Sequence, residues 1–136
     1  MYETFDHTAD LGLRVRAGDL DTLFAEAGEA LFSAIVEDLG AVEPRVAVSI
    51  RTDGDDLAYR LFDWLKELLY RFEAEHMLFR RFEVKSEAHG LHATAWGEPL
   101  DAALHQLSHE VKAITYHGLT VERTPDGWLA EVIVDI

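Results

Sequence analysis

Trp128–Ile136 reads W-L-A-E-V-I-V-D-I. The run has the alternation of a strand, in which successive side chains point to opposite faces. Trp128, Ala130, Val132 and Val134 fall on one face, and Leu129, Glu131, Ile133 and Asp135 on the other. Asp135 thus shares its face with Leu129 and Ile133, followed only by an isoleucine. Two readings are open: a solvated aspartate at a frayed end, or a buried one that must be hydrogen-bonded, ion-paired or metal-bound. Immediately upstream, Pro125-Asp126-Gly127 supplies turn-compatible backbone. The run E-V-K-A-I-T-Y-H-G-L-T-V-E-R-T over 110–124 and the closing run are therefore expected to pair as a hairpin.

Working back from that hairpin, the chain alternates strand and helix signals. Residues 2–5 and 11–16 read as strands, with Leu11, Leu13 and Val15 on one face. Leu20, Leu23, Phe24, Ala27, Leu31 and Ile35 recur at helical spacing, with Asp19 or Asp21 available as N-cap and Leu39-Gly40 as a stop. Val46, Val48 and Ile50 alternate as a strand, and T-D-G-D-D turns the chain. Leu57, Leu61, Leu65, Leu68 and Phe72, joined by Trp64 and Leu69, form the apolar stripe of a second helix over about 55–72, read as core. Strands follow in M-L-F-R-R-F-E-V-K-S and, past His89-Gly90, in L-H-A-T-A-W-G. The expected class is α+β: two helices packed on a largely antiparallel or mixed sheet, in one domain spanning 1–136. Two helices of similar length, each flanked by strands, hint at an internal βαβ duplication.

Composition restricts the function. At 136 residues the chain can bury roughly two-thirds of its unfolded surface. It has no run of about 18 apolar residues such as a membrane helix requires. No cysteine is present, which removes disulfides, thiolate metal sites and cysteine nucleophiles. With no export signal at its start, the chain is expected in the cytoplasm. Twelve basic against 26 acidic residues give a net charge of −14. Direct nucleic-acid binding needs a basic face, and Arg80, Arg81 and Lys85 make only a small one. An acidic surface suits a basic protein partner, a divalent cation, or solubility alone. No phosphate-binding glycine loop, dinucleotide fingerprint or nucleophile elbow is present.

Three polar stretches break their local patterns: Asp6-His7-Thr8-Ala9-Asp10, His109 to His117, and the C-terminus. Asp6 and Asp10 read either as turn and capping residues or as ligands. The α-carboxylate of Ile136 lies one residue beyond Asp135. Were Asp10 brought to them, three oxygen anions would repel one another, and a hard divalent cation such as Ca²⁺ or Mg²⁺ would relieve that. His7 either bonds a backbone carbonyl or draws the site toward Zn²⁺. Lys112 interrupts Val111, Ala113 and Ile114. It either reaches out to water or is held charged among carboxylates, free to engage phosphate or a partner's acidic residue. His105, His109 and His117 are assigned to no site.

The opening Y-E-T-F-D-H-T-A-D-L-G-L, the segment G-D-D-L-A-Y-R-L-F-D-W-L-K-E-L-L-Y-R-F, W-G-E at Trp96–Glu98, E-V-K-A-I-T-Y-H-G-L and the ending V-I-V-D-I together resemble the archease family. They span the chain in family order, apart from P-L-D-A-A-L-H-Q-L-S-H over 99–109. The resemblance implies a small α+β protein, not itself an enzyme. Such a protein assists the RNA-splicing ligase of tRNA splicing as a transient partner, promoting its guanylylation and repeated turnover. It implies a metal site at Asp10 and Asp135, with Ile136 as a further oxygen ligand and calcium ahead of Mg, Mn or Zn. The family's functional lysine falls on Lys112, and its motif histidine on His7. It also brings an older assignment, a chaperone for RNA-modifying methyltransferases. A metal-dependent phosphohydrolase is a third reading from the residues alone, without a nucleophile to support it.

Overall fold

Two aspartates start the two helices. Asp19 accepts a 2.8 Å bond from the Thr22 N–H at the head of α1 (Leu20–Ile35), and Asp56 a 3.0 Å bond from Tyr59 at the head of α2 (Leu57–Glu75). Each satisfies a backbone donor that the first helical turn leaves free. α2 runs to His76, whose left-handed φ of 56° ends it, three residues beyond the sequence expectation. The computed structural model describes residues 1–7 and 10–136.

The strands are β1 (Tyr2–His7), β2 (Asp10–Ala17), β3 (Val46–Asp53), β4 (Met77–Glu87), β5 (Gly90–Pro99), β6 (Ala113–Ile114), β7 (Thr120–Thr124) and β8 (Gly127–Asp135). A short 3-10 turn, Leu39–Ala41, follows α1. The pairing is antiparallel throughout, as the α+β reading requires, but the strands divide into two sheets and not one. The first runs β1-β2-β8-β6, with β7 also paired to β8; the second runs β3-β5-β4. The two helix-centred units are wired differently. α1 leads from β2 in the first sheet to β3 in the second, whereas α2 joins β3 and β4 of one sheet, parallel to each other across β5. The long strand expected over 110–124 is interrupted. It contributes the two-residue β6, then residues 115–119, then β7.

Both helices share one apolar core with the inner faces of both sheets. Leu11, Leu13 and Val15 of β2 lie in register with Val134, Val132 and Ala130 of β8, and all six are buried. On the second sheet Phe82, Val84, Leu91, Ala93 and Ala95 close the other side. Phe32 stacks on Phe82 and meets Phe79 edge-on, and Trp64 meets Phe82 edge-on. The Trp64 indole N–H donates to the Phe24 carbonyl at 2.8 Å, so this large side chain is buried without an unmet donor. Arg60 is buried too, its guanidinium donating to the Gly54 and Glu87 carbonyls and to the Ser86 hydroxyl, which ties α2 to the β4–β5 turn. Among the described residues no helix is long and apolar enough to cross a membrane.

One glycine is dictated by close approach. β4 carries a register shift between Phe79 and Arg81, opposite Gly97, and a Cβ at 97 would overlap the Leu78 carbonyl. Gly18, by contrast, has open space where a Cβ would go. Gly97→Ala is expected to cost about 2 kcal/mol or more through backbone displacement. Gly18→Ala is expected to change stability by no more than about 0.5 kcal/mol. Urea unfolding of the two variants checks the contrast.

Candidate functional site

The site begins with the register of β2 on β8. On the face away from the helices, the Phe5 ring fills the room that a side chain at Gly12 would need. Gly12 lies between Phe5 and Ile133 in register, and Ile133 is only 4% exposed although it lies opposite the core face. Beside it, the Arg14 guanidinium is 4.5 Å from the Phe5 ring centre and bonds Glu3 at 3.2 Å and Glu131 at 3.3 Å. These two carboxylates raise the Arg14 pKa further above its ordinary value.

Two residues further along both strands, the same register sets Asp10 opposite Asp135. Directly opposed residues project to one face with Cβ atoms about 5 Å apart. Both aspartates are half-buried, and among the described residues neither forms an ion pair. Like charges so placed oppose the pairing by roughly 0.2–1 kcal/mol. His7 is the β1 partner of Asp10 and is exposed on the same face. Thr8 and Ala9 of the same motif lie outside the described residues. Ile136, half-buried, follows Asp135 directly.

Lys112 reaches this end of the sheet by its main chain. Its N–H donates to the Asp135 carbonyl at 2.7 Å, and Ala113 and Ile114 then pair with Asp135 and Val134. Thr115 adds two bonds to the Ile133 carbonyl, from its N–H at 3.1 Å and its hydroxyl at 2.8 Å. The Lys112 side chain is exposed, and among the described residues no ion pair within 4.0 Å joins it to Asp10 or Asp135. It lines a groove against α2 together with Phe62, Lys66 and Tyr70. His109 and His117 are exposed, and each is held through its backbone N–H.

The stretch over 99–109, which the sequence left unassigned, forms with residues 110–112 a strap anchored at Glu98. Glu98, nearly buried, accepts from the Glu43 N–H at 2.8 Å and from the Arg45 guanidinium at 3.1 Å. It also lies 2.9 Å from His105 Nε2. His105 is buried, and its Nδ1 accepts from the Asp101 N–H at 3.0 Å, which places the ring proton on Nε2, facing the carboxylate. Beyond it, Ser108 and His109 donate to the carbonyls of Ile35 and Ala34 at the end of α1, and Leu107 bridges to Val36. The strap thus leads from a buried ionic anchor to Lys112. The Glu43 N–H, aided by His105 and Arg45 and opposed by burial, lowers the Glu98 pKa from 4.5 to about 2.

Against known proteins, the model of the Archease protein family (MTH1598/TM1083) matches residues 2–136. The chain belongs to the archease family. It is 44% identical over 139 residues to the protein archease of Methanopyrus kandleri, covering 99% of each chain. It is 40% identical over 140 residues to that of Pyrococcus abyssi, covering 99% of this chain and 98% of the other. Among solved structures, protein 1598 of Methanobacterium thermoautotrophicum superposes with a TM-score of 0.87 at 33% identity, over 99% of this chain and 98% of that one. A Thermotoga maritima archease, described as a possible chaperone, shares the fold with a TM-score of 0.64 at 21% identity, over 100% and 98% of the two chains.

Can the metal that the resemblance implies be held by what this chain presents? Two opposed carboxylates that, among the described residues, form no ion pair are a hard, oxygen-only donor pair, which suits Ca²⁺, Mg²⁺ or Mn²⁺ better than Zn²⁺. Among the described residues no group of three or more His, Asp or Glu side chains forms a cluster fit for a metal. The protein's own donors therefore fit a hard cation but leave most of its coordination positions to backbone, terminal carboxylate, water or a partner.

In chelator, Asp10→Asn removes one of two repelling charges and is expected to leave stability unchanged or to raise it by up to about 1 kcal/mol. The same variant is expected to lose any rise in Tm that Ca²⁺ gives the parent; paired thermal melts check both. For Glu98 the sign is fixed by its lowered pKa. Its stabilisation is fully present above about pH 4.5 and is lost as the pH falls from 4.5 toward about 2. Glu98→Gln is expected to be less stable at pH 7 and to flatten the loss of stability over that window, as urea unfolding at a series of pH values will show.

Proposed function

We propose that this archease is an accessory protein of tRNA splicing that activates the RNA-splicing ligase, docking on it transiently in the cytoplasm and promoting its guanylylation and repeated turnover. The observation that carries this reading is the register pair Asp10–Asp135. It is a half-buried, like-charged pair at a sheet end, with too few side-chain donors among the described residues to enclose an ion, which suits a cation shared with another molecule. Asp10, Asp135 and the Ile136 carboxylate would hold the cation, calcium foremost. When bound, it supplies positive charge for phosphate oxygens or for the ligase's own metal-binding groups.

The other residues position and select. His7, on the face of Asp10, can orient that carboxylate by a hydrogen bond. Lys112, fixed to Asp135 through its main chain, presents an ammonium at the same end of the sheet for an anionic group of the partner. The net charge of −14 favours docking on a basic region and disfavours independent grip on RNA. Among the described residues no side chain near the pair is arranged as an activated nucleophile, which supports an accessory role over a phosphohydrolase.

The test is RNA ligation under single-turnover and multiple-turnover conditions, with and without this protein. Asp10→Ala, Asp135→Ala and Lys112→Ala are each expected to lose stimulation by roughly tenfold or more, the scale on which metal-site supports act. Full stimulation by all three variants would overturn the site. Improved partner solubility that ignores all three substitutions would favour the chaperone reading suggested for the Thermotoga maritima relative.

A further inference from the structure

The chain has three lysines, Lys66, Lys85 and Lys112. Two of them, Lys66 from α2 and Lys112 from the end of the strap, line one groove of about 220 Å³ between α2 and β6. Its floor is apolar, from Phe62, Leu69 and Ile114. Glu73 also lines it, yet among the described residues no ion pair engages either lysine. In a chain of net charge −14, two lysines against one glutamate give this groove a net positive lining, with the Lys66 Nζ 5.9 Å from the Phe62 ring centre.

Of the exposed tyrosines nearby, Tyr70 lines the groove, and Tyr116 and Tyr59 extend the aromatic surface from its Phe62. Tyr59, Tyr70 and Tyr116 are 58%, 56% and 61% exposed. Tyr116 stacks on Phe62 with ring centres 4.0 Å apart and meets Tyr59 edge-on at 5.8 Å. Exposed, pre-ordered tyrosines around an apolar floor are typical anchors of protein interfaces, because they bury a large area at small entropic cost.

We propose that the groove between α2 and β6 is a docking site for a carboxylate side chain flanked by an apolar or aromatic residue on a protein partner, with Lys66 and Lys112 receiving the carboxylate and Tyr59, Tyr70 and Tyr116 covering its neighbour. Charge complementarity selects this occupant. A basic segment would meet two ammoniums here, although the rest of the acidic surface attracts it. A mostly basic partner with one acidic anchor therefore has a single favoured orientation, the contribution electrostatics makes to specificity. The identity of that partner as the ligase rests on the function proposed above; the chemistry of the groove does not.

Two measurements test it. In the first, the ¹⁵N-labelled protein is titrated with acetyl-Phe-Glu-Phe-amide, with acetyl-Phe-Lys-Phe-amide and with inorganic pyrophosphate, following backbone amide shifts. Shifts at residues 66–70 and 112–116 with the glutamate peptide alone, lost in Lys66→Gln and kept in Lys85→Gln, are the expected result. Equal response to the lysine peptide, a response to pyrophosphate alone, or none at the groove overturns the proposal. In the second, affinity for the RNA-splicing ligase is measured for the parent, Lys66→Gln and Lys85→Gln. Lys66→Gln is expected to weaken binding by roughly tenfold, as loss of one partly desolvated charge contact does, and Lys85→Gln to leave it unchanged. If the glutamate peptide binds at the groove but the parent does not bind the ligase, the docking site stands and the ligase reading fails. If the ligase binds and Lys66→Gln binds as tightly as the parent, the docking site fails and the ligase reading stands.

Discussion

The register of β2 against β8 decides what this protein presents to its surroundings. Side chains on a strand repeat every two residues, so a slip of one would exchange buried and exposed faces along both strands. Two sets of contacts forbid that slip. On the helix side Leu11, Leu13 and Val15 face Val134, Val132 and Ala130 inside the core. On the other side Phe5 lies over Gly12, and Arg14 spans Glu3 and Glu131. Asp10 and Asp135 stand opposite each other as a consequence. The apolar core therefore sustains a repulsion that, among the described residues, no ion pair relieves. Such a pair persists when the surrounding structure over-determines it, and it is the seat we propose for a cation.

The strap over 99–112 completes that end of the sheet from the opposite direction. It has almost no regular hydrogen-bonding pattern of its own, so its path is set by what it is tied to. Glu98 and His105 anchor its start inside the protein, the end of α1 holds its middle, and the Asp135 carbonyl receives its last N–H from Lys112. A lysine placed this way has a fixed backbone and a free ammonium. The same arrangement brings Lys112 to α2, where Lys66 and the exposed tyrosines are found. The face of Asp10 and Asp135 and the groove are thus two surfaces meeting at one edge, joined through residues 112–114 and β8.

Much of this was legible in the residues. The helical stripes from Leu20 to Ile35 and from Leu57 to Phe72 are long enough for their period to be unambiguous, and of the two candidate caps, Asp19 and Asp21, it is Asp19 that starts the first helix. The alternation in W-L-A-E-V-I-V-D-I identified Asp135 as out of place, and D-H-T-A-D supplied the other carboxylate. Other features left no local signal. β6 is two residues long, too short for any period. The division into two sheets depends on which edges the helices cover, a tertiary choice that strand patterns do not encode. The Glu98–His105 anchor joins residues seven apart across a proline, and a single carboxylate near the end of a strand does not reveal its partner. Lys112 was read as a neighbour of the carboxylates, and it is one by backbone, while its side chain lines the groove on α2.

The most direct measurement is anomalous diffraction from crystals of this protein soaked in Mn²⁺, whose oxygen-donor preferences resemble those of Ca²⁺ and Mg²⁺. A peak between the carboxylates of Asp10 and Asp135, absent from crystals of Asp135→Asn soaked in the same way, is the expected result. Full soaking with no density between the two strands, or a peak bound only elsewhere on the acidic surface, would contradict the claim that this register exists to seat a cation.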